Sequence, residues 1–287
     1  MVTAKTQEIP LKSAAAKVRL NRALGETAEI RLRAGRRAYA VTTGGAMYPC
    51  SDILTPADIE ECFQELCRCS VHSFSREISE GYITLAGGHR VGISGTAVMS
   101  GGRVETMRDI SSLCIRLAHE VHGCAQELYD RALGGEMHSL LLLGKPLSGK
   151  TTVLRDLARI LGADRRVVVI DSRNELAACC RGSVCLDVGE NTDVLAGFPK
   201  AEGILLALRS LSPEVIICDE IGDDSEAVRQ CLFCGVKLIA AAHAGSFYEA
   251  ENRCGIRELL PLFERTALIG ERGSLKEVRE TGCFSCG

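Results

Sequence analysis

Four apolar runs in the second half of the chain show no polar residue at alternate positions. They are Leu140-Leu141-Leu142-Leu143, Val167-Val168-Val169-Ile170, Val215-Ile216-Ile217-Cys218 and Leu238-Ile239-Ala240-Ala241-Ala242. A strand with one face in water alternates apolar and polar residues, whereas an uninterrupted run must be covered on both faces. Between the runs the spacing turns helical, as in "KTTVLRDLARIL" from Lys150 to Leu161. Buried strands alternating with helices specify a mainly parallel sheet covered by helices. The C-terminal ends of such strands open on one crevice, where ligands bind. Chemistry in this half of the chain is therefore expected just after the runs.

The first run leads directly into the spacing of a phosphate-binding loop. After Gly144 come four residues and then Gly149-Lys150-Thr151. Phosphate oxygens need several backbone N–H groups aimed at one point, and a helix N-terminus adds a favourable dipole. The expected nucleotide-binding segment is Gly144, Lys145, Pro146, Leu147, Ser148, Gly149, Lys150, Thr151 and Thr152. Lys150 would reach the β- and γ-phosphates of ATP, and Thr151 would give its hydroxyl to magnesium. Leu147 stands where many such loops carry glycine. In left-handed geometry it would cost roughly 1–2 kcal/mol. With an ordinary backbone it would point away from the phosphates, and this is the geometry expected here.

The other runs also end in chemistry. "PEVIICDEIG" ends in Asp219-Glu220. Two carboxylates at the end of a buried strand are costly unless a cation or water needs them. Asp219 would hold magnesium through water, and Glu220 would orient or deprotonate the attacking water. "VVVIDSRNELA" ends in Asp171 and Glu175, and "KLIAAAHAGS" ends in His243. Alone, His243 reads as a hydrogen-bonded turn residue. After a strand of the same sheet, it is expected to join Lys150, Glu175, Asp219 and Glu220 in the crevice.

Composition narrows the function classes. The 287 residues are 46% hydrophobic, enough for one large or two ordinary domains. Acidic residues exceed basic ones by 37 to 34, for a net charge of −3, and Trp is absent. That argues against a basic, aromatic-bearing nucleic-acid groove, so no nucleic-acid partner is expected. Fifteen cysteines at irregular spacing do not form a disulfide framework. With no signal-like leader and no run of roughly 20 apolar residues, a reducing cytoplasm is expected. Cys231 with Cys234, and Cys283 with Cys286, have zinc-like spacing. The first pair falls on a helix expected to be buried and the second on a terminal tail, so no zinc is expected.

The N-terminal third has a different grain. "TAEIRLRAGRRAYAVTT" reads as two strands around a glycine-containing turn. "TPADIEECFQELCR" reads as a helix opened by a Thr cap, with Ile59, Cys62, Phe63 and Leu66 at helical spacing. "GYITLAGGHRVGISGTAVMSGGRV" reads as a hairpin or meander, and "SSLCIRLA" as a further strand. We expect an α+β domain over residues 1–118, a linker helix with a hinge at Gly134-Gly135 over 119–137, and an α/β, RecA-like P-loop domain over 138–287.

Taken together, "EIRLRAGR", "GYITLAGGHRVGISG", "SSLCIRLA", "GKPLSGKTTVLRDLAR", "VVVIDSRNELA", "NTDVLAGFPKAEGILLALRSLSPEVIICDEIG" and "GVKLIAAAHA" resemble the stage III sporulation protein AA family. That family lies within the secretion ATPase superfamily of type II and type IV secretion motors. The resemblance covers the chain from about Ile30 onward. It implies a two-domain ATPase that assembles as a homo-oligomeric ring, of hexamer type. It implies a catalytic role for Glu175 and places His243 at the superfamily's histidine position. It also implies arginines from the smaller domain that reach the nucleotide, here Arg90 and Arg116. By themselves these two read rather as solvated strand residues. The chain departs from the family pattern at Lys145, Leu147, "DSRNE" and Asn191.

The reading is an ATPase using ATP and Mg2+, the motor or assembly subunit of a sporulation-associated trans-envelope channel. The resemblance implies a polytopic membrane partner and a position on the mother-cell side of the forespore. Two other classes stay open. One is a structural ring subunit that binds nucleotide with little turnover. The other is a RecA-like ATPase dependent on nucleic acid.

Overall fold

The computed structural model describes residues 3–6 and 27–281, apart from 43, 68–70, 86, 181 and 223. The chain divides into two units, one of Ala4–His119 and one of Met1–Thr3 with Glu120–Gly287.

After a short strand β1 (Thr3–Thr6), the N-terminal unit builds one antiparallel sheet. Strands β2 (Thr27–Arg33) and β3 (Arg37–Thr42) form a hairpin whose turn uses Gly35 at φ 73°. Strand β4 (Met47–Ile53) pairs with β3. Helix α1 (Pro56–Leu66) follows. It starts where it does because Thr55 and Asp58 cap each other. The Thr55 hydroxyl accepts from the Asp58 N–H at 3.2 Å, and the Asp58 carboxylate accepts from the Thr55 N–H at 2.7 Å. Its apolar stripe, Ile59, Cys62, Phe63 and Leu66, joins Ile30, Leu32 and Ile115 in one core. A short helix α2 (Ser75–Ser79) leads to β5 (Tyr82–Thr84), β6 (Arg90–Ser100) and β7 (Arg103–Arg116). The sheet order is β4-β3-β2-β7-β6-β5.

Strand β8 (His119–His122) opens the C-terminal unit. That unit runs α3 (Gln126–Ala132), β9 (Leu140–Gly144), α4 (Lys150–Leu161), β10 (Val167–Asp171), β11 (Thr192–Ala196), α5 (Lys200–Ser210) and β12 (Val215–Cys218). It continues with α6 (Ser225–Phe233), β13 (Lys237–His243), α7 (Phe247–Asn252), α8 (Ile256–Leu259), β14 (Arg265–Ile269) and β15 (Leu275–Glu280). The sheet order is β11-β10-β12-β13-β9-β14-β15, parallel except for the final β14–β15 pair. This is an α/β, RecA-like architecture preceded by a smaller α+β unit.

The uninterrupted apolar runs are explained by two cores, one on each face. Leu141, Leu143, Val168, Ile170, Ile216 and Leu238 pack with Ile204 of α5 and Val228 of α6. Their neighbours Leu140, Leu142, Val167, Val169, Ile217 and Ile239 pack with Leu154 and Leu157 of α4. Helix α3, expected as a linker, belongs to this second core through Leu128 and Ala132. Buried Asp156 of α4 docks it by accepting the Ala125 N–H at 2.8 Å. Among the described residues no helix is long and apolar enough to cross a membrane.

Candidate nucleotide site

Register sets the site. Gly144 at the end of β9 lies beside His243 at the end of β13, and β12 pairs with β10 on one side and β13 on the other. The ends of β9, β10, β12 and β13 therefore form one edge.

The turn from β9 to α4 is built tightly around two glycines. A β-carbon at Gly144 would lie 2.6 Å from the Ser148 hydroxyl and 2.9 Å from the Ile269 carbonyl. Gly149, at φ 99°, opens α4, and a β-carbon there would meet the Gly273 nitrogen at 2.7 Å. The Gly273 N–H donates to the Ser148 carbonyl at 2.6 Å, so the β14–β15 turn clasps the loop from behind. Leu147 corrects the sequence expectation. Its backbone is left-handed at φ 62°, and its side chain is fully exposed. The turn demands that geometry whatever residue sits there, so the leucine carries a cost of roughly 1–2 kcal/mol.

Lys150 is buried at the first position of α4. Its ammonium donates to the Gly144 carbonyl at 2.9 Å and the Lys145 carbonyl at 3.0 Å, and lies 3.1 Å from His243 Nδ1. Burial pushes its pKa below the ordinary lysine value, while Asp219 and Glu220 pull the other way. An ammonium has only donors, so His243 Nδ1 accepts. The ring proton then sits on Nε2, which donates to Glu220 Oε1 at 2.7 Å. The other Glu220 oxygen is paired with Arg173. Glu220 itself is left-handed at φ 48°, a conformation that persists only where surroundings impose it.

The Thr151 hydroxyl donates to Asp219 Oδ2 at 2.6 Å, and Asp219 Oδ1 is buried without a hydrogen-bond partner among the described residues. Burial, and next the Glu220 charge, raise the Asp219 pKa, against the Thr151 hydrogen bond and Lys150. An orphaned carboxylate oxygen beside a hydroxyl, at the mouth of the glycine-built turn between β9 and α4, fits magnesium. That ion takes one or two carboxylates and fills its other positions with water and phosphate oxygens. Ser148 Oγ is also buried and unpartnered among the described residues, and lies in the same turn.

Asp171 and Glu175 divide their work differently from their neighbours. Buried Asp171 staples the loop after β10. It accepts backbone N–H groups from Glu175 at 2.7 Å, Leu176 at 3.0 Å and Ala177 at 2.8 Å. Arg155 of α4 donates to the Leu176 carbonyl at 2.6 Å and the Glu175 carbonyl at 2.7 Å. The loop is thus anchored to helix α4, and the Glu175 backbone is held at both its N–H and its carbonyl. Lys150, His243 and Glu220 form one chain of contacts, and Thr151 with Asp219 forms a second, carried by the adjacent residues of α4 and of the segment after β12.

Arg90 and Arg116 lie in the other unit and are cross-strand partners on β6 and β7. Arg90 stacks over the Tyr82 ring at 4.0 Å, and Arg116 lies 3.8 Å from Glu29. Asn191, one of the departures from the family pattern, closes the end of α4 by donating to the Gly162 and Ala163 carbonyls at 3.2 and 3.1 Å. Of the cysteine pairs, Cys231 is buried and Cys234 exposed, so the two thiols do not share an environment. Cys283 and Cys286 lie outside the described residues. Neither Arg173 nor Arg155 belongs to a sequence motif that points to the site. The one signal for Arg173 was a cation inside the acidic stretch "DSRNE".

The family model described as "Sporulation stage III, protein AA" matches residues 10–282. The chain is 36% identical over 242 residues to the stage III sporulation protein AA of Bacillus subtilis (strain 168), across 82% of this chain and 78% of that one. Its fold is similar to that of the pilus retraction motor PilT, solved with bound ADP. The TM-score is 0.57 at 13% identity, covering 90% of this chain and 80% of that one. It is also similar to the ATPase DotB of Legionella pneumophila, with a TM-score of 0.52 at 16% identity over 85% and 72% of the two chains.

Proposed function

The chain belongs to the stage III sporulation protein AA family, and from that premise we propose that it hydrolyses ATP as the motor or assembly subunit of a sporulation-associated trans-envelope channel. The observation that carries the proposal is the Thr151–Asp219 pair with its orphaned Oδ1, set at the mouth of the P-loop. Magnesium chemistry there is charge neutralisation on the β- and γ-phosphates, and Thr151 and Asp219 would hold the ion. Lys150 exchanges its two carbonyl partners for phosphate oxygens. Glu220 orients the attacking water and takes its proton, with Glu175 as a second carboxylate. Arg90 and Arg116 of a neighbouring copy would supply positive charge in trans within a homo-oligomeric ring of hexamer type. A polytopic membrane partner and a mother-cell position at the forespore complete the reading.

One observation supports a second reading, a ring subunit that binds nucleotide with little turnover. Both Glu220 oxygens already have protein partners, His243 and Arg173. Measuring ATP binding and hydrolysis on one preparation, with particle mass recorded with and without an ATP analogue, separates the two. Magnesium-dependent turnover that rises with protein concentration supports the motor. Tight binding with no turnover supports the structural subunit, and no binding overturns both.

A further inference from the structure

We propose that Arg173 is a positioning residue that sets the Glu220 carboxylate for hydrolysis, an inference that rests on the ATPase reading of this site. Glu220 follows β12, the strand flanked by β10 and β13. Each flanking strand sends one donor to it. Arg173, in the loop after β10, takes Oε2, and His243, the last residue of β13, takes Oε1 at 2.7 Å. The carboxylate is clamped from both sides across the width of three strands.

Glu220 needs a clamp. With its backbone at φ 48° the side chain leaves the strand end from a geometry that its own chain does not favour. A glutamate with a single partner there would still rotate about its side-chain bonds. Two donors from different elements fix both oxygens, and a base must be held within hydrogen-bond reach of the water it serves.

Both arms of the clamp lead back to helix α4. His243 is joined to Lys150 at 3.1 Å. The loop that carries Arg173 is stapled by Asp171 and tied through Arg155 to the same helix. The helix that meets the phosphates is thereby connected to each oxygen of Glu220.

The Arg173 side chain is 63% exposed, so its ion pair contributes little to stability. That separates a positioning role from a structural one. Arg173→Ala should melt within about 2 °C of the parent and bind a fluescent ATP analogue with magnesium at near-parental affinity. Its kcat should fall about ten- to a hundredfold at little-changed KM, the loss expected for one charge-assisted hydrogen bond. Arg173→Lys should retain more activity than Arg173→Ala, and added guanidinium should restore part of it. Because the effect passes through Glu220, the double variant Arg173→Ala/Glu220→Gln should be no slower than Glu220→Gln in single-turnover assays.

Unchanged kcat in Arg173→Ala would overturn the proposal. So would a loss confined to nucleotide affinity, or a further tenfold or greater loss in the double variant, each of which makes Arg173 independent of Glu220. A second readout needs no turnover. In side-chain nitrogen NMR of the full chain, the Arg173 guanidinium signal, assigned by its disappearance in Arg173→Ala, should shift and exchange faster in Glu220→Gln. A signal that does not respond means that the pair is absent in solution and sinks the proposal. A responding signal in a parent protein without ATPase activity leaves the pair standing and removes the ATPase reading instead.

Discussion

The two sheets bury themselves in different ways, and the difference decides where each can hold reactive groups. In the N-terminal unit the strands are antiparallel and part-exposed, so polar side chains lie along the strands. Arg90, the first residue of β6, and Arg116, the last of β7, stand opposite one another, each with a partner in its own unit, Tyr82 and Glu29. In the C-terminal unit the central strands are covered on both faces. Polar groups are excluded from their length and collect at their ends. Parallel direction then brings Lys150, Asp219, Glu220 and His243 to one edge from widely separated positions in the chain. One sheet spreads its charges over a face, whereas the other concentrates them in a line.

The sharpest attack on this contrast is to remove the face arginines. If a neighbouring copy lends them to the site, Arg90→Ala or Arg116→Ala should lower ATP turnover by about 10³–10⁵ while leaving nucleotide affinity almost intact. Mixing Lys150→Ala protein with an arginine-deficient variant should then restore part of the activity in mixed rings. If both arginine variants turn over normally, the C-terminal edge is complete without the N-terminal sheet.

Next in size is the carboxylate itself. Glu220→Gln keeps the shape and removes the base, and should cost about 10²–10⁴ in rate with magnesium and ATP still bound. Glu175→Gln run beside it asks whether the stapled loop also contributes. Normal hydrolysis there would restrict the second carboxylate to a structural place.

The staple comes third. Asp171→Ala leaves several backbone N–H groups without their acceptor and removes the carboxylate that most favours the Arg155 charge. Unfolding free energy should drop by about 3 kcal/mol, read from denaturant midpoints. A loss below about 0.5 kcal/mol would mean that the loop holds its shape by other means.

Leu147→Gly is the smallest change. Relief of left-handed strain, less the greater freedom of glycine in the unfolded chain, should raise stability by about 0.5–1 kcal/mol. A destabilised variant would show that the exposed leucine has a contact in solution.

The same contrast explains what could be read from the sequence. Strands β9, β10, β12 and β13 announce themselves as apolar runs because both faces are buried. Strand β11, with Thr192 and Asp193, lies on the sheet edge, and β15, "LKEVRE", is largely exposed, so neither carries that mark. Lys150 and Thr151 were legible from spacing, and Glu220 and His243 from their place after a run. The Arg173–Glu220 pair was not, because it depends on which strands are neighbours, and strand order is not local. The backbone of Leu147 was misjudged for a related reason. Its left-handed conformation belongs to the turn between β9 and α4 and runs against the preference of a leucine.

The central claim is that the edge of the parallel sheet is an ATP site organised around Lys150. A calorimetric titration of ATP with magnesium into the full chain and into Lys150→Ala tests it most directly, with a thermal melt to show that both are folded. Removing the cation that faces the β- and γ-phosphates should weaken affinity by roughly ten- to a hundredfold. Equal affinity in the two folded proteins, or no binding in either, would contradict the account.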